Sequence, residues 1–160
     1  MRDNMQRGLQ AYYARAFPDK PGLQVKGLVS IPASWENVMY AFDVEYGPTV
    51  DRQREALVLR LYPGGEAHVK AAHEFYSMRR LHTAGYPVPY VHLLERTNSP
   101  LGAPFVIMER VAGQTVGPLV LKAHWGRQRE LLTHCCALLV QLHRLDWRPF
   151  GADMAGAETP

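Results

Sequence analysis

A short alternating segment in the first half of the chain constrains the fold most. Residues 55–62 read Glu-Ala-Leu-Val-Leu-Arg-Leu-Tyr, with a leucine at every second position from 57 to 61. This period of two predicts a β-strand whose two faces meet different surroundings. Arg60 falls on the same face as Ala56 and Val58, so a permanent cation belongs to a mostly apolar surface. The Pro-Gly-Gly sequence at residues 63–65 ends the strand.

A helix is predicted next, over residues 67–84, and Gly85 ends it. Four of its apolar residues fall on one stripe at helical spacing, namely Ala67, Ala71, Met78 and Leu81. Glu74 lies within that stripe, where an unpaired buried charge costs roughly several kcal/mol. Arg60 on the preceding strand is the nearest candidate partner, so we predict an Arg60–Glu74 ion pair. The two residues form a structural salt bridge, form part of a binding site, or are two solvated charges at the edge of the sheet and the helix. The pattern alone leaves these alternatives open.

The composition restricts the class of protein. The chain has 160 residues, 47% of them hydrophobic, which is enough for a core within one domain. The net charge is only +3 and the basic residues are scattered, whereas a nucleic-acid-binding surface needs a concentrated basic stripe. We therefore expect no nucleic-acid partner. No apolar run is long enough to span a membrane, and residues 1–4 are polar, so neither a membrane contact nor a signal peptide is expected.

The cysteines and histidines suggest no disulfide framework and no structural metal site. Cys135 and Cys136 are adjacent, and neighbours on a helix point in different directions, which suits a reducing cytoplasm. The seven histidines lack the spacing of metal ligands. A cytoplasmic location is therefore predicted.

The other segments predict four more strands and two more helices. Strands are predicted over residues 23–31, 38–46, 91–95 and 104–108, and helices over residues 4–17 and 125–145. The last helix has a broad apolar face, made of Leu131, Leu132, Cys135, Leu138, Leu139, Leu142 and Leu145. An apolar face of this size is expected to associate. It would form a homodimer through helix 125–145, or be covered by the remainder of a longer chain.

Several segments, taken in order, resemble the aminoglycoside phosphotransferase family, which includes choline-kinase-like members. Residues 101–113 resemble the family's hinge, residues 57–60 its third strand, and residues 73–81 the helix that follows. The resemblance runs from about Val25 to Gly151. It implies an α+β, protein-kinase-like small lobe with a five-stranded antiparallel sheet and one helix packed on it. An N-terminal helix would precede the lobe, and a hinge and a long C-terminal helix would follow.

The resemblance also implies a division of the chain. Residues 1–22 would form an N-terminal helical extension and residues 23–109 the small lobe. Residues 110–117 would be the hinge, and residues 118–147 the first helices of a truncated large lobe. Residues 148–160, rich in glycine, alanine and proline, would form a flexible tail.

The same resemblance implies residues for binding ATP. Arg60 would contact the phosphates of the nucleotide, and Glu74 would hold Arg60 in place. Val58 would lie over the adenine. The backbone of the hinge would form hydrogen bonds with the edge of the adenine, at Met108, Glu109 and Val111.

The turn from Ser34 to Asn37 stands where the family has a loop over the phosphates. The turn contains no glycine, and Glu36 would repel phosphate if it pointed inward. The Ser34 hydroxyl and backbone N–H groups could still bind phosphate. The turn is therefore either a phosphate-binding loop, including Ser34 and Asn37, or a plain hairpin connection.

The motifs that the family uses to carry out the reaction are not expected in this chain. The family places a His-Gly-Asp type loop and then an Asp-Trp type metal motif after the long helix. Asp146 and Trp147 match the second motif only in letters, because they stand at the end of the helix itself, so Asp146 is not predicted to bind metal. No catalytic residue is therefore predicted in this chain.

The resemblance thus implies the ATP-binding lobe of a small-molecule phosphotransferase, inactive by itself. Mg²⁺ is expected only in a complete enzyme, together with a hydroxylated small-molecule acceptor. The alternative is a non-catalytic kinase-like module for binding or oligomerisation.

Overall fold

The computed structural model describes residues 2–31, 38–97, 99–146, 148 and 150. The elements in chain order are α1 (Arg2–Ala16), β1 (Gln24–Ile31), β2 (Val38–Tyr46), β3 (Gln53–Leu61), α2 (Ala67–Thr83), β4 (Val91–Glu95), β5 (Phe105–Glu109), α3 (Val116–Lys122) and α4 (Trp125–His143). Strands β2 and β4 have the predicted bounds, and α2 ends one residue earlier than predicted.

The five strands form one antiparallel sheet in the order β1-β2-β3-β5-β4. Strand β3 lies at the centre and pairs with β2 along its whole length, from Leu61 opposite Val38 to Gln53 opposite Tyr46. On its other side it pairs with β5. The predicted α+β fold with a five-stranded antiparallel sheet is therefore confirmed.

The two faces of β3 belong to two separate apolar clusters. On one face, its leucines pack with Phe42 and with Leu9 and Tyr13 of α1, both of which are completely buried. On the other face, Val58 packs with Ala71 of α2. Because apolar side chains alternate between two covered faces, β3 reads as almost continuously apolar. Helix α1, predicted as an extension, contributes directly to the core of the sheet.

The end of α2 explains how the chain turns back into the sheet. Gly85 has a φ of +74°, a conformation that favours glycine. Its N–H donates to the His82 carbonyl, and the Tyr86 N–H donates to the Leu81 carbonyl. This pair of bonds is the Schellman motif, which closes a helix by satisfying its last carbonyls. It directs the chain towards β4 and keeps α2 packed against that strand.

Helix α4 lies apart from the sheet. It packs on α3, and the Tyr86 hydroxyl donates a 3.4 Å hydrogen bond to the Leu138 carbonyl. Within the described part of α4 no residue is buried, and Leu139 is 56% exposed. The predicted leucine face is thus present and uncovered. None of the described helices is both long and apolar enough to cross a membrane.

Candidate functional site

The predicted ion pair between the third strand and the following helix is confirmed. Arg60 Nη1 on β3 lies 2.6 Å from Glu74 Oε1 on α2. Both side chains are mostly buried, with 27% and 21% of their surface exposed. The pair forms because Arg60 occupies the face of β3 on which α2 packs, and Glu74 is one turn beyond the buried Ala71.

Tyr62 lies beside this ion pair, although the sequence analysis did not identify it as a site residue. It is 2% exposed, and the Arg60 guanidinium lies 5.5 Å from the centre of its ring, in cation–π range. Burial and the neighbouring Glu74 carboxylate raise the pKa of its hydroxyl. Among the described residues the Tyr62 hydroxyl has no hydrogen-bond partner, and the Glu74 carboxylate acts on it through its charge. The alternation of the strand could have identified Tyr62, since position 62 shares a strand face with position 60.

A row of apolar side chains crosses the same face of the sheet. The register places Val29 opposite Ala41, Ala41 opposite Val58, and Val58 opposite Met108. Val58 and Met108 are buried, whereas Val29 is 56% exposed. The row therefore runs from the core to an open edge, as a flat apolar ligand would require. Val29 and Ala41 were not predicted, because only the register between strands aligns them.

The predicted hinge continues directly from β5, and the amides of the last strand residue, Glu109, and of the first hinge residue, Arg110, are already occupied. The Glu109 N–H donates to the Tyr90 carbonyl over 2.8 Å, and the Arg110 N–H donates to the Ala56 carbonyl over 2.9 Å. In the described chain no comparable backbone bond holds the Val111 amide, and that residue is 63% exposed. Of the predicted adenine-binding positions, Glu109 thus has an occupied amide, whereas the Val111 amide has no backbone partner among the described residues.

A second ionic cluster joins this hinge to the sheet. Asp43 on β2 accepts a 2.8 Å hydrogen bond from Arg110 Nη2 and a 2.9 Å hydrogen bond from Arg54 Nη2. The sequence analysis named neither Asp43 nor Arg110. Residues 43 and 110 lie far apart in sequence, so no local pattern could have shown their contact.

The fold brings most of the predicted residues together on one face of the sheet. Arg60 and Glu74 lie beside Val58 and Met108 on the α2 side, and residues 109–111 follow at the end of β5. Ser34 and Asn37 lie outside the described residues. Within the described ranges, no group of three or more His, Cys, Asp or Glu side chains is arranged to hold a metal ion.

Comparison with known families agrees with this arrangement. Residues 28–159 match the phosphotransferase enzyme family, APH. The chain belongs to this family. The match begins within β1 and covers the rest of the sheet, together with α2, the predicted hinge and α4.

Individual relatives of this phosphotransferase-family chain are longer. Acyl-CoA dehydrogenase family member 11 of Gallus gallus is 30% identical over 152 residues, which cover 91% of this chain and 18% of that protein. A candidate aminoglycoside phosphotransferase from Ralstonia eutropha JMP134 has a similar solved structure, with a TM-score of 0.61 and 19% identity. The match covers 91% of this chain and 40% of that protein. The structural likeness shows a shared fold, and the chain spans less than half the length of either relative.

Proposed function

We propose that this chain is the ATP-binding lobe of a small-molecule phosphotransferase. The observation that carries the proposal is the position of Arg60, held by Glu74 at 2.6 Å on the sheet face that bears the apolar row. Phosphoryl transfer depends on cations that position the phosphates and balance their charge. A guanidinium carries five N–H donors in a planar fork, so binding Glu74 through Nη1 is compatible with contact to a phosphate.

The apolar row and the hinge provide a place for the base. Val29, Ala41 and Val58 would cover one face of the adenine, and burial of that flat surface would favour binding. The Val111 amide would donate to an acceptor nitrogen on the edge of the base. Ser34 and Asn37, outside the described residues, remain candidates for contacts to the phosphates.

The reaction itself would require groups beyond those described. The hydroxylated small-molecule acceptor would bind to a large lobe, and Mg²⁺ would neutralise charge on the phosphates in a complete enzyme. Arg60 would hold the phosphates of ATP, and Glu74 would prevent Arg60 from turning away. We infer that this chain alone binds nucleotide but does not transfer phosphate. We further propose a cytoplasmic location, since Cys135 and Cys136 are exposed free thiols.

Calorimetric titration with ATP, with and without Mg²⁺, tests this function. Arg60→Ala should weaken ATP binding at least about tenfold, because a charge-assisted contact to phosphate is lost. Arg7→Ala is the matched control, since Arg7 is a cation on α1, which packs on the opposite face of the sheet, and bonds Asn4 at an exposed position. Absence of ATP binding at millimolar concentration, or equal binding by Arg60→Ala, would contradict the proposal.

The exposed apolar face of α4 favours one alternative. A non-catalytic kinase-like module would use Leu138, Leu139 and Leu142 to associate with a second copy of the chain. The two functions differ in their ligand, because the module needs no nucleotide. Concentration-dependent sedimentation together with absent ATP binding would select the module. ATP binding that depends on Arg60 would select the phosphotransferase lobe.

A further inference from the structure

We propose that Asp43 is a positioning residue that fixes the hinge and thereby controls affinity for the base of the nucleotide. This inference rests on the proposed nucleotide-binding function. It concerns the hinge end of the site, whereas Arg60 and Glu74 concern the phosphate end.

The geometry attaches Arg110 to two neighbouring strands at once. Its backbone N–H donates to the carbonyl of Ala56 on β3, and its guanidinium donates to Asp43 on β2. Asp43 and Ala56 are directly opposite each other in the β2–β3 register. The first hinge residue after β5 is therefore held by both its main chain and its side chain, and the backbone through Val111 starts from a fixed point.

Burial and charge make Asp43 the critical member of this cluster. Its side chain is 15% exposed, against 35% for Arg110 and 64% for Arg54. Its two carboxylate oxygens bind different guanidinium groups. Loss of the carboxylate charge would remove the side-chain bond that ties Arg110 to β2 and leave two cations close together without their shared partner. Because Arg110 directly precedes Val111, a shift of Arg110 would displace the amide offered to the base.

The loss of affinity caused by removing the Asp43–Arg110 bond should be confined to one end of the ligand. Ala56 and Arg60 are four residues apart on β3, which corresponds to about 13 Å along a strand. A group at the hinge end therefore contacts the base, and a group at the Arg60 end contacts the phosphates. Adenosine reports on the first end alone, and inorganic tripolyphosphate reports on the second.

Calorimetric titration of the wild type and four variants with these two probes tests the proposal. Asp43→Asn and Arg110→Ala should each weaken adenosine binding about tenfold, as expected for loss of a charge-assisted bond, and should leave tripolyphosphate binding unchanged. The double variant should be no weaker than either single variant, because both remove the same contact. Glu45→Gln is the matched control. It removes the same charge two residues along β2, where Glu45 bonds Lys26. Among the described residues no hydrogen bond or ion pair joins Glu45 to Arg110.

A second measurement keeps the test independent of nucleotide binding. Hydrogen exchange of the Arg110 amide in the ligand-free protein should be faster in Asp43→Asn and Arg110→Ala than in wild type or Glu45→Gln. If wild type binds neither probe, the proposed function fails, and the exchange rates still decide whether Asp43 fixes the hinge. Unchanged exchange, or equal losses for adenosine and tripolyphosphate, would overturn the inference, because a general loss of structure affects both ends.

Discussion

Arg60 Nη1 lies 2.6 Å from Glu74 Oε1, so β3 and α2 are joined by charge as well as by apolar packing. Because Arg60 shares its face with Val58, the pair also lies beside the apolar row. Its geometry therefore links the stability of the lobe to its proposed ligand, and the two effects can be separated by mutation.

Replacing Glu74 by Gln should lower the free energy of unfolding by about 1–3 kcal/mol, because a charge-assisted hydrogen bond is lost and the Arg60 charge stays mostly buried. Urea unfolding measures the change. The exchanged pair, Arg60→Glu with Glu74→Arg, should recover part of this stability and still fail to bind ATP, since position 60 of β3 no longer carries a cation. Recovery of ATP affinity by the exchanged pair would contradict the role assigned to Arg60.

The adjacent tyrosines of α1 should respond differently to loss of the hydroxyl group. Tyr12 donates a 2.7 Å hydrogen bond to Glu95, so Tyr12→Phe should cost about 0.5–1.5 kcal/mol of unfolding free energy. The Tyr13 hydroxyl is buried and has no hydrogen-bond partner among the described residues, so Tyr13→Phe should be neutral or slightly stabilising. Thermal unfolding of both variants tests this difference, and a larger loss for Tyr13→Phe would show that its hydroxyl has a partner.

Glu55 should contribute to the acid sensitivity of the fold. Burial of Glu55 raises its pKa, but hydrogen bonds from Lys20 and Tyr46 outweigh burial and hold the pKa below the ordinary value of 4.5. The folded state therefore binds fewer protons, and the stabilisation is present above pH 4.5 and lost as pH falls through the lowered pKa. Urea unfolding between pH 3 and 6, about the titration range of a carboxylate, should show a shallower dependence for Glu55→Gln than for wild type.

His92 should affect the stability of the fold in a higher pH range than Glu55. Burial lowers its pKa from 6.5, despite the opposing influence of Glu55. The neutral form is favoured in the folded state, so its contribution is complete above pH 6.5 and declines as pH falls through the lowered pKa. Lys20 also lowers the pKa and Glu109 raises it. His92→Gln should flatten the stability profile just below pH 6.5. An unchanged profile would show that His92 has the same proton affinity in both states.

The leucine face of α4 should determine whether the chain associates. Leu139 is 56% exposed, so Leu139→Lys should leave the unfolding free energy within about 0.5 kcal/mol of wild type and reduce concentration-dependent association. Thr133→Lys adds the same charge on the opposite side of α4 and should have no such effect. Sedimentation velocity over a range of concentrations measures both. A wild-type chain that is monomeric throughout would exclude self-association through this face.

The sequence could predict the elements whose pattern is local. Alternation gave β2 its bounds, and Gly85 marked the end of α2. Strand β3 begins at Gln53, earlier than predicted, because its polar first residues extend the pairing with Tyr46 without adding to the apolar alternation. The Arg60–Glu74 pair could also be predicted, since a carboxylate within an apolar stripe requires a partner nearby.

Other features depend on contacts between distant segments. The Asp43–Arg110 bond requires both the β2–β3 register and the path of the hinge, and neither appears in a local pattern. The place of α1 on the sheet was not predicted for the same reason, although a helix was predicted over residues 4–17.

The central position of β3 has a mechanical consequence. Its side chains interlock with α1 on one side and with α2 on the other, so neither helix can shift without disturbing the strand that carries Arg60. We therefore expect the sheet and these two helices to move as one rigid body. Opening and closing around a ligand would then fall to the short connection between Val111 and Thr115, where rotation about a few backbone bonds disrupts neither cluster.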